Sequence, residues 1–226
     1  PPHSDGSERR EATIVFCDIS EFTNISEKMK PPQIADLLNG YFEMASRIIL
    51  DHKGSVNKYI GDSIMSVFGA PVAYEDHALR AVKAALAIQK EIRRLNEKTD
   101  TRLRYHVHIG VNTGDVVAGN IGSLKRMENT VIGDRVNLAE RLESANKFYG
   151  TSILICDSTH AAIRDHEPTR EIDLIRVRGR EMPVAIYEAL GLEVGILQSD
   201  NYDWAYKRAQ YECDITYGTN SEFGFD

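Results

Sequence analysis

Apolar and polar positions along the chain change their period several times, and each change marks an element. Ala12 to Cys17 is an apolar run of strand length. Pro31 and Pro32 suit a helix start, where a missing N–H costs nothing. Ile34, Leu37, Leu38, Tyr41, Phe42, Ala45, Ile48 and Ile49 then recur at helical spacing, and Gly54 follows as a C-cap. Ser55 to Ile60 and Ser63 to Phe68 read as two short strands around Gly61-Asp62, a hairpin turn. From Tyr74 to Leu95 a second helix is expected, with Ala78, Val82, Ala85, Ile88 (or Gln89), Ile92 and Leu95 on its inner stripe. Arg102 to Val111 alternates as a strand does. Asn112-Thr113-Gly114-Asp115 reads as a turn into a further strand, Val116 to Ile121. A third helix spans Asp134 to Phe148, and Ser152–Cys156, Glu171–Val177 and Val184–Leu190 are later strand candidates.

The order strand, helix, strand, strand, helix, strand is that of the split βαβ, or ferredoxin-like, motif. It predicts an α+β fold, a sheet with helices packed on it. In that topology the first strand lies antiparallel to the third, so the end of one abuts the start of the other. Asp18 follows the first strand and Asp62 begins the third. Topology alone therefore brings two distant carboxylates together. Two such carboxylates suit divalent cations that phosphate oxygens and water complete, and the loop Ile19 to Thr23 offers backbone N–H groups to phosphate. Taken singly, each Asp could merely cap a turn.

Composition narrows the class without choosing the chemistry. The chain has 226 residues, 42% hydrophobic and 27% charged, as in an ordinary globular domain. A net charge of −7 argues against broad nucleic-acid binding. No apolar run is long enough to span a bilayer. Cys17, Cys156 and Cys213 are scattered, and read as reduced thiols of a cytoplasmic protein, or of the cytosolic part of a larger sensor, not as a disulfide frame or zinc site. Pro1 to Arg10 is polar, and residues 1–11 are assigned to a disordered leader.

The remaining candidates each have a plainer reading. Asn137 and Arg141 are one helical turn apart and share a face, where Arg141 can hold phosphate bidentately; on spacing alone a solvated surface with Glu140 and Glu143 is the favoured reading. Lys58 could donate to a base edge or shield an acidic turn. Thr130 can donate or accept a hydrogen bond, or simply favour a strand. Val177-Arg178-Gly179-Arg180 is a basic turn. His106 and His108 alternate with no third ligand nearby, and read as surface or partly satisfied histidines. Gly114 and Gly119 lack the Gly-Lys-Ser/Thr ending of a phosphate-binding loop.

Several of these stretches together resemble the catalytic domain of class III nucleotidyl cyclases, of the bacterial adenylate cyclase type. They are Val15-Phe16-Cys17-Asp18-Ile19-Ser20-Glu21-Phe22-Thr23, Lys58-Tyr59-Ile60-Gly61-Asp62-Ser63, Val131 to Leu142, and Val177-Arg178-Gly179-Arg180. The likeness runs from about Ala12 to Leu190, so residues 12–190 are expected to form the catalytic domain. The resemblance implies a head-to-tail homodimer that binds ATP, with no nucleic-acid partner. Asp18, Asp62 and the backbone carbonyl of Ile19 would hold two Mg²⁺ or Mn²⁺ ions, with Phe22 and Thr23 beside the phosphates. The other subunit would bring Lys58 and Thr130 to adenine, and Asn137 and Arg141 to the ribose and reacting phosphate. Arg178 would bind the triphosphate, where the family more often has Lys. Guanylate cyclases of the family usually carry Glu in the place of Lys58, which favours ATP; a guanylate cyclase or a catalytically silent binding module are the alternatives. Glu21 departs from a Gly common in relatives. The tail, 191–226, resembles a segment of the bacterial preprotein-translocase motor ATPase, read as the truncated start of such a region.

Overall fold

A computed structural model of the chain describes residues 7–99, 104–123, 126–176, 182–192, 194–196, 208 and 215–217. The chain divides into two compact units, Pro1–Ala189 and Leu190–Asp226. In the first, the elements in order are β1 (Glu8–Ile19), α1 (Phe22–Ser26), α2 (Pro31–Asp51), β2 (Ser55–Ile60), β3 (Ser63–Phe68), α3 (His77–Lys98), β4 (Val107–Ser123), β5 (Arg126–Ile132), α4 (Asp134–Tyr149), β6 (Ile153–Cys156), α5 (Asp157–Ile163), β7 (Thr169–Ile175) and β8 (Val184–Ala189). In the second unit, β9 (Val194–Ile196) pairs in parallel with β10 (Ile215–Tyr217). Among the described residues, no helix is long and apolar enough to cross a membrane.

The sheet runs β2-β3-β1-β4-β6-β8-β7, with β5 on β4. β1 lies between β3 and β4, antiparallel to both, as the split βαβ order requires. β1 is apolar on both faces because both are covered. Val15, Cys17 and Ile19 pack with Tyr41, Ala45 and Ile49 of α2 and the alanine-rich face of α3. Ala12, Ile14 and Phe16 pack with Met65, Val67 and Val131, and with Ala139 of α4. Pro31 opens α2 as the sequence suggests, and the backbone N–H of Lys30 donates to Gln33 Oε1 at 2.9 Å.

Four expectations change. β1 begins at Glu8, where Glu8 faces Ala118 in register, so the expected leader of residues 1–11 ends sooner. α3 begins at His77 and not at Tyr74. Gly54 is not the left-handed residue after α2; that is Lys53, at φ 65°. Gly54 is small for packing, because a Cβ there would stand 2.5 Å from the Phe68 ring. Most consequentially, Asn112 to Asp115 makes no turn: β4 passes through it unbroken, with Thr13 opposite Thr113 and Ala12 opposite Gly114. The turn-forming side chains are spent inside the fold. Thr13 Oγ1 bonds both Thr113 Oγ1 (2.8 Å) and His77 Nδ1 (2.8 Å), and Thr159 donates to Thr113 (2.9 Å). Asn112 donates to the Arg135 carbonyl (2.7 Å) and accepts from the Cys156 thiol (2.7 Å). A buried polar group is tolerable when bonded, and these are.

Candidate active site

The acidic half of the site stands where β1 ends. The register sets Cys17 opposite Ile64, so the residue after Cys17 arrives at the β2–β3 hairpin turn. Gly61 and Asp62 form that turn, with Ile60 opposite Ser63 and Gly61 at φ 64°, a left-handed conformation that glycine takes without strain. Asp18 and Asp62 are thus within hydrogen-bonding reach of each other. The strand end is fixed from behind: the Tyr41 hydroxyl donates to the Cys17 carbonyl at 3.0 Å. Beyond it, Ser20 N–H donates to the His106 carbonyl at 2.9 Å, and α1 starts at Phe22. The Phe22 side chain packs against the core, which leaves its backbone amide, with that of Thr23, in a first turn that has no carbonyl of its own to offer them.

Charge is crowded here. The Asp18 carboxyl is pushed up to about 7, first by burial and then by the charges of Asp62 and Glu143. Glu143 is itself raised to about 7, chiefly by burial, with Asp62 adding to it. Sequence reasoning treated Glu143 as a surface residue. The sign it offered was Gly110, inside an alternating strand. A Cβ on Gly110 would lie 2.1 Å from the Ala139 carbonyl oxygen and 2.3 Å from Glu143 N, so α4 presses onto β4 there and carries Glu143 down to the two aspartates. The Cys17 thiol is raised to about 12 by burial, which leaves it inert beside this site. His108 is lowered, first by burial and then by His106 and Lys147. Among the described residues, no three His, Cys, Asp or Glu side chains gather as a protein-only metal cage. Two carboxylates and a backbone carbonyl fit instead a hard cation of the Mg²⁺ kind, which keeps positions for phosphate and water. The raised Asp18 carboxyl reflects its burial and the negative charge of Asp62 and Glu143 beside it.

The second half lies on the other flank of α4. Leu138, Ala139 and Leu142 are buried, which turns Asn137 and Arg141 outward on one face, a turn apart. Asn137 and Lys58 line one cavity of about 520 Å³, whose walls include Phe16, Ile60, Met65 and Val131. Apolar walls with a few polar groups suit a flat heterocycle. Lys58 Nζ lies 3.9 Å from Glu128 Oε2. Thr130 opens instead on an adjoining cavity of about 90 Å³, shared with Asn57, Ser55 and Arg10; Val131 lines both. Glu128 and Asn57 were not among the sequence candidates. β5 does not announce itself in the pattern, and a bulge between Val56 and Lys58 in β2 hides the alternation around Asn57.

Glu21 takes φ 57° and ψ 30°, and pairs with Lys147 of α4 at 3.4 Å. That left-handed conformation is the physical reason a glycine suits the position. Arg178 and the basic turn around it lie outside the described residues.

Comparison with known proteins agrees with this fold. The family described as Adenylate and Guanylate cyclase catalytic domain matches residues 6–188. A second family, SecA DEAD-like domain, matches residues 173–226, overlapping β7 and β8. Adenylate cyclase 1 of Rhizobium meliloti is 34% identical over 186 residues, covering 81% of this chain and 28% of that protein. The adenylate cyclase of Anabaena cylindrica is 35% identical over 188 residues, covering 79% of this chain and 36% of that protein. The chain thus spans about a third of the length of these relatives. Among solved structures, the adenylyl cyclase CyaB from P. aeruginosa is similar at TM-score 0.74 and 35% identity, covering 81% of this chain and 95% of that one. The guanylyl cyclase Cya2 is similar at TM-score 0.72 and 37% identity, covering 81% and 93%.

Proposed function

The chain belongs to the family of adenylate and guanylate cyclase catalytic domains, and from that premise we propose that it converts ATP to 3′,5′-cyclic AMP and pyrophosphate. One observation carries the choice of base. Solved relatives of both specificities lie at similar distance, so likeness does not choose between them. Lys58 in the 520 Å³ cavity does. Adenine presents an acceptor at N1 and a donor at N6, whereas guanine presents a donor at N1 and an acceptor at O6. A lysine ammonium can only donate, so it meets adenine N1 and leaves guanine N1–H facing a like donor.

In this reading Asp18, Asp62 and the Ile19 carbonyl hold two Mg²⁺ or Mn²⁺ ions. When bound, these ions favour ionisation of the ribose 3′-hydroxyl and neutralise charge on the phosphates. The chain's own groups do the rest. The first-turn amides of Phe22 and Thr23 meet phosphate oxygens. Asn137 orients the ribose, so that its 3′-oxygen stands in line with the α-phosphorus. Arg141 takes up charge that grows on the α-phosphate as the pyrophosphate leaves. Arg178 holds the triphosphate.

The proposal includes a head-to-tail homodimer, in which one subunit's Asp18 and Asp62 face the other's Lys58, Thr130, Asn137 and Arg141. It is supported by the open rim of the Lys58 cavity, where Ile60 and Ile132 stand 50% and 49% exposed. All residues named lie in one chain, so two equal sites need no second gene product. A cytosolic setting is also part of it, consistent with the unpaired, buried Cys17 and Cys156. The test is product analysis with the purified chain, Mn²⁺, and ATP or GTP, across protein concentration. Cyclic AMP is expected, with specific activity rising as dimers form. Cyclic GMP formed from GTP in preference, or no product from a folded dimer, would overturn the proposal.

A further inference from the structure

Reading a base edge with a threonine poses a chemical problem. A hydroxyl carries one donor and two acceptor lone pairs, and turns to suit either partner. Left free, Thr130 could accept from adenine N6–H or donate to guanine O6 with equal ease. It is not left free. Thr130 is only 7% exposed, and its Oγ1 donates to Asn57 Oδ1 at 2.9 Å. We infer that Asn57 is a specificity-determining residue for the purine: by taking the Thr130 proton it leaves that hydroxyl able only to accept, which matches adenine and refuses guanine. This rests on the proposed ATP-cyclising reading of the same site.

The backbone shows how Asn57 reaches this place. In a regular strand Asn57 and Lys58 would project to opposite faces. β2 carries a bulge between Val56 and Lys58, where the register against β3 shifts: Val56 faces Ser66 and Lys58 faces Met65. The extra residue is Asn57. The bulge lets both neighbours look onto one face of the sheet, Lys58 into the larger cavity and Asn57 into the smaller one beside it. Thr130 sits in β5 opposite Gly119 of β4, so the residue directly across from it carries no side chain. Lys58 and Asn57 thus act together: one supplies a fixed donor for N1, the other fixes Thr130 as the acceptor for N6. Asn57 is a positioning residue, since it acts through Thr130.

The experiment measures kcat/KM for ATP and for GTP in the purified chain and in Asn57→Ala, Asn57→Asp, Thr130→Val and the Asn57→Ala/Thr130→Val double variant. Folding is checked by circular dichroism. Asn57→Ala should lower the ATP-to-GTP ratio about tenfold, the worth of one good hydrogen bond. Asn57→Asp, whose carboxylate still accepts the Thr130 proton, should keep a ratio near the parent's. In the Thr130→Val background, Asn57→Ala should change the ratio no further. A merely structural Asn57 would slow both nucleotides alike and would do so with or without Thr130; that result overturns the inference while the parent still makes cyclic AMP. A parent that cyclises neither nucleotide overturns the underlying reading, and this inference with it.

Discussion

The two flanks of α4 hold opposite kinds of site. On one, Asp18, Asp62 and Glu143 crowd like charges, and burial pushes two of the three carboxyls up to about 7. On the other, Lys58 lies near a carboxylate and Thr130 has a hydrogen-bond partner. The first is electrostatically incomplete and calls for cations. The second is balanced before any ligand arrives, so it can discriminate between neutral bases by hydrogen bonds. Stability is given up where charge must be bound, and geometry is fixed where shape must be read.

The largest effects should come from removing one element of each flank. Asp62→Ala should cut turnover by roughly 1,000-fold or more in a folded chain, because a phosphoryl reaction without its cation site loses its main electrostatic support. Arg141→Ala should lower kcat by about 100-fold with little change in KM, as expected of a group that bonds the transition state more tightly than the substrate. Unchanged kcat with weaker ATP binding would count against that role. Mixing the two inactive chains distinguishes flanks that serve one site in trans from flanks that serve it in cis. In a head-to-tail dimer, half of all dimers are mixed and each of these has one intact site, so activity should return to about a quarter of the parent's. No recovery from dimers that exchange subunits would refute sharing.

Much of this was legible in the sequence, for a reason particular residues make plain. The split βαβ order alone foretold that Asp18 would meet Asp62, and the β1–β3 register agrees. That Asn137 and Arg141 share an outward face followed from helical spacing beside the buried Leu138 and Leu142, whereas spacing alone favoured a solvated surface there and the resemblance supplied their proposed role. What was hidden depended on the third dimension. Asn112 to Asp115 looks like a turn because sequence cannot show that Thr13, His77 and Thr159 wait to bond Thr113 inside the sheet. Glu143 looks like any surface acid until α4 is seen to press on Gly110. Asn57 is hidden by a bulge, which breaks the alternation that sequence reading relies on.

The crowded flank makes a stability prediction as well. Asp18 has a folded pKa near 7, above its ordinary value of 3.8. The native state therefore holds a proton that the unfolded chain has released between those values. Its contribution is intact below about pH 4 and is lost as pH rises through 7. Glu143 acts in the same direction, from 4.5 to about 7. Metal-free protein should thus be less stable at pH 8 than at pH 6, and Mn²⁺ should restore it. Asp18→Asn should raise metal-free stability at pH 8 by about 1–2 kcal/mol, the solvent at a half-buried site screening much of the full effect. It should also abolish both the response to Mn²⁺ and turnover. A loss of metal-free stability in that variant, read by thermal unfolding, would show that the crowding is relieved without a cation.

The smallest effects belong to Glu21, where two causes can be separated. A non-glycine residue in the left-handed region costs about 1–2 kcal/mol, but a glycine there would give back roughly 0.5–1 kcal/mol in unfolded-state entropy. The pair with Lys147 joins side chains that are 53% and 71% exposed, and so contributes little. Glu21→Gly should therefore stabilise the fold by at most about 1.5 kcal/mol. Its charge matters separately, since a carboxylate beside the first turn of α1 repels an incoming triphosphate. Glu21→Gln removes the charge and keeps the strained backbone; Glu21→Gly removes both. If the two causes are independent, both variants lower KM for ATP by a similar factor, about two- to threefold at low salt, and the gain fades as salt rises. Only the glycine variant should raise the unfolding temperature. A KM that falls for glycine alone would assign the effect to the backbone, and would mean that loop freedom, not charge, limits how the phosphates are received.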